Sequence, residues 1–378
     1  MPTLPDFRLE THFAKWEFSA RFHMTASDAE SMALPDLLAL ANPDDRASFE
    51  EMWLGYTETY GLPELRAAIA NTYNAQPAEN ILCFAGASEG IFAANNVLLE
   101  SDSHAIVVTP NYQSHETLPL AICEATGVPL DPNDGWSLDI DRVRAAIRPN
   151  TRLLTINFPH NPTGTILPLD RYHALIDLCR EHGIWILHDE IFNGLGPSDA
   201  EHLPFIADVY ERGLSLGVMS KSYGLPGLRI GWIACQDKAL LSKMERLKHY
   251  LSICNAGPSE RLAMIALKAR DSILARNNKL IDANLPKWDA FFARFPDLFE
   301  WDRPDGSCMA FPRYKGSDGV EAFCKSLVEE AGVLFLPSTI YSSELSETPQ
   351  DRFRLGFGRA GLDEGLAALE AHLLKNRS

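Results

Sequence analysis

Along the middle of the chain, mostly apolar residues come in short runs without strict alternation, at 81–84, 105–109, 152–157, 183–188, 214–219 and 230–234. Runs of this length predict strands covered on both faces. Between them the apolar spacing lengthens to three or four, as in 170–180 (Asp-Arg-Tyr-His-Ala-Leu-Ile-Asp-Leu-Cys-Arg), which predicts helices. Strands alternating with helices predict an α/β architecture, a mostly parallel sheet sandwiched by helices. Pro63 opens a further helical stretch at 62–70, with Leu65, Ala68, Ile69 and Tyr73 on one face.

From about Gly257 the pattern changes to a long helical tract at 259–295, a second helix at 320–331 and a strand at 352–357. Helices grouped beside a few strands predict a smaller α+β domain. At 378 residues the chain exceeds what one core comfortably fills. The expected division is an N-terminal segment 1–49, a large domain 50–256 and a small C-terminal domain 257–378, with no low-complexity linker.

Composition, 46% hydrophobic and 22% charged, is that of an ordinary globular protein. The net charge of −17 argues against a nucleic-acid groove, which needs Lys and Arg to neutralise phosphates. No run approaches the roughly 18 apolar residues of a membrane span, and the first ten residues have neither a basic n-region nor an apolar h-region. Cys83, Cys123, Cys179, Cys235, Cys254, Cys308 and Cys324 include no C-x-x-C pair, and no histidine stands at metal-ligand spacing. Free thiols, no metal and a reducing, cytoplasmic setting are expected.

In a sheet of this kind ligands sit beyond the carboxyl ends of the strands. The residues there are Ala87 and Ser88; Asn111 and Tyr112; His160, Asn161 and Thr163; Asp189 and Phe192; and Ser220, Lys221 and Arg229. Gly86-Ala-Ser-Glu-Gly90 reads two ways. As G-x-S-x-G between a strand and a helix it is a serine-hydrolase nucleophile elbow, which would require Asp189 and then His249 or His372, both in helix-like segments. As a glycine-bearing turn opening a helix it offers unpaired N–H groups to an anion. The lysine, arginine and aspartate after the neighbouring strands favour the anion. Neither G-x-G-x-x-G nor G-x-x-x-x-G-K-[ST] is present, which disfavours nucleotides.

An anion cradle, an aromatic ring, an amide, a carboxylate, a lysine and an arginine on one edge fit pyridoxal 5'-phosphate. Lys221 would hold its aldehyde covalently and later move a proton. Asp189 would pair with the pyridine nitrogen, and Tyr112 would stack on the ring. Asn161 would donate to the ring hydroxyl oxygen, while the Ala87 N–H, Ser88 and Arg229 hold the phosphate.

Six stretches carry a resemblance to a known family: residues 56–66, 85–90, 157–164 (Asn-Phe-Pro-His-Asn-Pro-Thr-Gly), 188–192 (His-Asp-Glu-Ile-Phe), 220–231 (Ser-Lys-Ser-Tyr-Gly-Leu-Pro-Gly-Leu-Arg-Ile-Gly) and 353–357. In this order they resemble the fold-type-I pyridoxal-phosphate enzymes of the class I/II aminotransferase family. The resemblance implies that 50–256 binds the cofactor, that Arg354 takes the substrate α-carboxylate, and that an amino acid and a 2-oxo acid are the substrates. It also implies a homodimer with shared active sites, in which Tyr56 reaches the neighbouring subunit's phosphate and Asn255 lines the interface.

Two positions depart from the family. Phe192 stands where a tyrosine usually donates to the ring hydroxyl oxygen, and Val218 where a phosphate-binding serine is common, which shifts anchoring towards Ser88, Ser220 and Arg229. Residues 9–21 and 26–32 are similar to the opening of capreomycidine-synthase-like members, which eliminate and cyclise instead of transaminating. That likeness implies a substrate-side, small-domain-associated role for 1–49, with Ser27, Asp28 and Glu30 as substrate contacts beside Asn161 and Arg354. The expected activity is therefore transamination through Lys221, with elimination or cyclisation as the alternative and a Ser88 hydrolase as a distant one.

Overall fold

The structure, a computed structural model, describes residues 4–375. Seven strands form the central sheet: β1 (Ile81–Phe84), β2 (His104–Thr109), β3 (Glu124–Pro129), β4 (Thr151–Asn157), β5 (Trp185–Asp189), β6 (Gly213–Val218) and β7 (Gly231–Ala234). Their spatial order is β1-β7-β6-β5-β4-β2-β3. All pairs are parallel except those of β7, which runs antiparallel to both β1 and β6. Every residue of β1, β2, β5, β6 and β7 is buried, as their apolar runs require.

Successive side chains on one strand serve different cores. Leu154 and Ile186 pack under Tyr172, Leu175 and Ile176 of the helix Leu169–His182, whereas Leu153 and Leu187 meet Ile91, Ala94 and Leu98 of the helix Ala87–Leu98. The sheet is thus covered on both faces. β3 was not legible in the apolar pattern, because as an edge strand it is half exposed and carries Gly127 and Pro129.

The tract 259–295 is two helices, Gly257–Lys268 and Arg270–Ala293, broken at Ala269. Without glycine or proline at the joint, the apolar period runs through unmarked. Trp288, Phe291 and Phe292 of the second helix pack with Phe299, Phe323, Phe335 and Phe353 in another core, each burial stabilising by roughly 1.5–3 kcal/mol. Beside it Phe353–Gly356 is the middle strand of a three-stranded antiparallel sheet.

The N-terminal segment is woven into this part. Phe22–His23 pairs in parallel with Val333–Leu334, and the Gly356 N–H donates to the Met24 carbonyl at 2.8 Å. The Ala29 N–H reaches the Lys221 carbonyl at 3.3 Å, so residues 22–30 run from the small sheet to the lysine loop. Among the described residues no helix is long and apolar enough to cross a membrane.

Candidate active site

The carboxyl end of β1 leads to Gly86, whose φ is +94° and which precedes the helix Ala87–Leu98. No side chain caps that helix, so its first N–H groups stay open. A Cβ on Gly86 would stand 2.5 Å from Arg229 Nη2, and one on Gly231 would stand 2.8 Å from the Ala87 nitrogen. Both positions need glycine because the guanidinium and the start of β7 press against the turn. The reversed direction of β7 matters here, since it brings Arg229, which precedes the strand, to the edge where Ser88 lies. Ser88 is exposed on this turn, and Ser220 is buried after β6 without a side-chain hydrogen bond among the described residues.

A second group joins Asp189 to Arg354. The His115 Nε2–H donates to Asp189 Oδ2 at 2.9 Å, both side chains being almost wholly buried. Asn157 Nδ2 donates to the Asp189 carbonyl at 2.7 Å, and Asn157 Oδ1 accepts from the Asn161 N–H at 2.8 Å. Asn161 Oδ1 accepts from Arg354 Nη1 at 3.1 Å and from the Tyr341 hydroxyl at 3.2 Å, which leaves its Nδ2 with no protein partner among the described residues. Arg354 is 1% exposed, and its other partners are the Thr25 carbonyl, at 2.8 Å from Nη2, the Thr25 hydroxyl, at 3.4 Å from Nε, and the Tyr341 oxygen, at 2.6 Å from Nη1. Every partner is neutral. A buried guanidinium held only by neutral oxygens attracts a carboxylate strongly.

Lys221 Nζ donates to Ser27 Oγ at 3.0 Å. Beside Ser27, Asp28 is held through both oxygens by Arg359 Nη2, at 2.9 and 2.8 Å. Burial pushes the Lys221 ammonium below its ordinary range, an effect that Asp28 opposes and Arg354 reinforces. Glu30 is turned to the Ala360 N–H, at 2.8 Å. Of the N-terminal acidic and hydroxyl residues singled out, Ser27 alone hydrogen-bonds the lysine.

Tyr112 lies partly buried after β2, its ring 5.1 Å from that of Phe7 and edge-on to His115 at 6.4 Å. Burial, with Glu10 adding to it, pushes its phenol up to about 12, so it stays protonated. Phe192 is fully buried in the apolar cluster with Met24, Ala29 and Cys308, and Val218 ends β6 with an aliphatic side chain. Tyr56 is 86% exposed, with no side-chain hydrogen bond among the described residues, while Asn255 is buried and accepts from Lys248 Nζ at 3.2 Å. The hydrolase arrangement is not assembled. The imidazole that meets Asp189 belongs to His115, His249 ends the helix Lys238–Lys248, and His372 sits near Ser326 and Glu330.

His115, Asn157, Thr25, Tyr341 and Arg359 are the contributors that the sequence left unassigned. His115 was within reach, one helical turn after Tyr112, whereas Thr25 and Tyr341 come from segments with no periodic signal.

His160 makes the Asn161 loop acid-sensitive. Its Nε2–H donates to the Pro110 carbonyl at 2.9 Å, its Nδ1 accepts from the Thr163 hydroxyl at 2.8 Å, and burial pushes it down to about 4. An unfolded histidine titrates near ~6.5, so below that pH the unfolded chain binds a proton that the folded chain refuses. Stability is then full above the unfolded value and declines from about pH 6.5 towards 4, by up to roughly 3 kcal/mol. His23, also pushed down to about 4 by burial and by Arg359 and Arg354, acts in the same direction. Thermal unfolding midpoints measured across this window should fall with pH, and less steeply in His160→Gln; a flat wild-type profile contradicts the assignment.

The family model for aminotransferase class I and II matches residues 26–369. Capreomycidine synthase of Streptomyces vinaceus is 30% identical over 376 residues, covering 98% of this chain and 94% of that protein. Among solved structures, a PLP-dependent aminotransferase from Streptococcus suis superposes with a TM-score of 0.91 at 29% identity, over 99% of this chain and 98% of that one. The PLP-dependent cyclase OrfR superposes with a TM-score of 0.89 at 25% identity, over 100% and 99%. The chain belongs to the class I and II aminotransferase family, with the fold-type-I architecture. Its cofactor is pyridoxal 5'-phosphate. The residues present fit that group, with open N–H groups and a guanidinium around glycines that a Cβ would block, an amide with an open Nδ2, and a lysine hydrogen-bonded to Ser27.

Proposed function

We propose that the protein is a pyridoxal-phosphate-dependent aminotransferase that moves the α-amino group of an amino acid to a 2-oxo acid, working as a homodimer. The observation that carries this reading is the buried Arg354, joined through Asn161 and Asn157 to Asp189 and through the Thr25–Ser27 segment to Lys221. One hydrogen on Arg354 Nη2 remains open, and the planar guanidinium would orient the substrate α-carboxylate there.

When bound, the cofactor supplies an aldehyde that condenses with amines and a protonated ring that accepts electron density from the substrate Cα. The N–H of Ala87, the hydroxyls of Ser88 and Ser220 and the Arg229 guanidinium would hold its phosphate. Asp189, kept in place by His115, would retain the proton on the ring nitrogen, and Asn161 Nδ2 would donate to the ring hydroxyl oxygen. Tyr112 would cover one face. Lys221, its ammonium destabilised by burial, would take the proton from the substrate Cα as an amine and return it at the cofactor carbon that carried the aldehyde. Ser27 Oγ would aim that amine, and the Asp28–Arg359 pair would set the charge beside it. Asp189→Asn should lower turnover by about 10²–10³-fold, as for loss of one preorganised electrostatic group, while cofactor is still bound. Cofactor titration alongside steady-state kinetics checks this.

Tyr56, Trp53, Leu54, Tyr250, Leu251 and Ile253 are among the large apolar side chains exposed in the described residues. A second copy covering them would bring each Tyr56 to the other's phosphate and complete both sites. The free state of all seven cysteines fits a reducing, cytoplasmic setting.

The alternative of elimination or cyclisation is supported by Phe192, which offers the ring oxygen no hydroxyl, and by the likeness to capreomycidine synthase along nearly the whole chain. A panel of amino acids, each supplied with a 2-oxo acid acceptor and followed by mass spectrometry, separates the two. Amino transfer to the acceptor supports transamination, and a dehydrated or cyclised product without transfer supports the alternative.

A further inference from the structure

Lys248 is a lysine with no exposed surface at the end of the helix Lys238–Lys248. Its Nζ donates to the Thr59 carbonyl at 2.7 Å, to the Cys83 carbonyl at 2.7 Å and to Asn255 Oδ1 at 3.2 Å, which uses all three ammonium hydrogens. These acceptors lie on three different segments. Cys83 is in β1, directly before the phosphate turn; Thr59 comes three residues after Tyr56; and Asn255 ends the loop that carries Tyr250, Leu251 and Ile253.

Further bonds tie the same segments. The Cys83 N–H donates to the Tyr60 carbonyl at 2.9 Å, and Thr57 Oγ1 donates to the Asn255 carbonyl at 3.2 Å. Glu89, in the first turn of the helix after Gly86, accepts from the Ala85 N–H at 2.6 Å and from the Ser252 N–H at 3.2 Å. A Cβ on Gly61 would stand 2.7 Å from Cys83 Sγ, so the Tyr56 arm and β1 approach as closely as a glycine permits. The loop is strained at its tip, where Ile253, a β-branched residue, is held at φ +65° and half exposed. Tyr250 beside it is 89% exposed.

We propose that Lys248 is a positioning residue that couples subunit association to phosphate binding. On the reading of a dimeric pyridoxal-phosphate enzyme, a second copy of this chain is the partner that seats on Tyr250, Ile253 and the Tyr56 arm. Ordering that surface fixes Thr59 and Asn255, and the ammonium transmits the position to the Cys83 carbonyl and thus to the turn at Gly86–Ser88. By linkage the effect is reciprocal, so filling the phosphate site tightens the dimer by the same factor.

The test compares wild type, Lys248→Met, Tyr250→Ser and the double variant in two assays, cofactor titration and sedimentation with and without saturating pyridoxal phosphate. In wild type, the cofactor should lower the dimer dissociation constant by about tenfold, within the usual span of coupling free energies. In Lys248→Met that shift should shrink several-fold, to the part carried by Tyr56 at the neighbouring subunit's phosphate, and the preference for pyridoxal phosphate over pyridoxal, which lacks the phosphate, should fall by a similar factor. A lysine that only stabilised the fold would lower the melting temperature and leave both ratios unchanged, which would overturn the proposal. Tyr250→Ser, on an exposed side chain, keeps the test valid if Lys248→Met folds poorly. It should weaken cofactor binding at low protein concentration, and unchanged binding there overturns the proposal. In the double variant its effect on cofactor binding should shrink likewise, and an additive effect also overturns it. A wild-type protein that binds no pyridoxal phosphate would refute the proposed function itself, a distinct outcome.

Discussion

Replacing Lys221 with alanine is expected to abolish turnover, by about 10³–10⁴-fold or more, because one amine would both hold the cofactor and move the substrate proton. The structure gives no second candidate at this position among the described residues. The amine lies at the end of the β6 loop, hydrogen-bonded to Ser27, with its charge disfavoured by burial. Lys248, a second lysine withdrawn from solvent, has its three hydrogens committed to Thr59, Cys83 and Asn255. Borohydride reduction of the loaded wild-type protein followed by peptide mapping should place the label on Lys221, and the alanine variant should carry none. A variant with normal activity, or a label elsewhere, contradicts the assignment.

The next largest effect is expected at Arg354. In Arg354→Met the substrate carboxylate would lose the guanidinium proposed to hold it, and Asn161 Oδ1, the Thr25 carbonyl and the Tyr341 hydroxyl would lose a donor. Breaking a buried charge pair of this kind costs about 2–5 kcal/mol, so kcat/KM for amino acids should fall by roughly 30-fold to 5,000-fold. Arg354→Lys should recover little, because an ammonium cannot reproduce the planar fork that also spans Thr25 and Asn161. An amine of the same side chain but without the α-carboxylate supplies the control. Its slow turnover should change far less than that of the amino acid, and an equal loss for both substrates would show that Arg354 acts only on the fold.

Why is so much of this site readable in the sequence, and some of it not? The doubly apolar runs around β1, β2, β4, β5, β6 and β7 announce buried strands, and a sheet of such strands gathers the residues beyond their carboxyl ends at one edge. That is how Lys221, Asp189, Asn161 and the Gly86 turn could be grouped from order alone. β3 escaped because edge strands tolerate polar residues, and the break at Ala269 escaped because no helix breaker marks it.

The contribution of the N-terminal segment was visible only as a short resemblance. Ser27 and Asp28 become meaningful once Phe22–His23 pairs with Val333–Leu334, a contact across some three hundred residues that no local pattern encodes. Tyr341 is similar, since its value lies in meeting Arg354 and Asn161 at once. Lys248 ends an amphipathic helix, where a lysine is ordinarily a solvated charge, yet here it has no exposed surface.

The central claim is that the bound cofactor accepts an amino group from an amino acid at Lys221. The most direct measurement is a single half-reaction, with loaded protein mixed with its preferred amino acid in the absence of any 2-oxo acid and the products quantified by mass spectrometry. Transamination predicts release of one 2-oxo acid per active site, with the amino nitrogen retained on the cofactor. Release of ammonia, or a cyclised product in repeated turnovers with no 2-oxo acid, would contradict it.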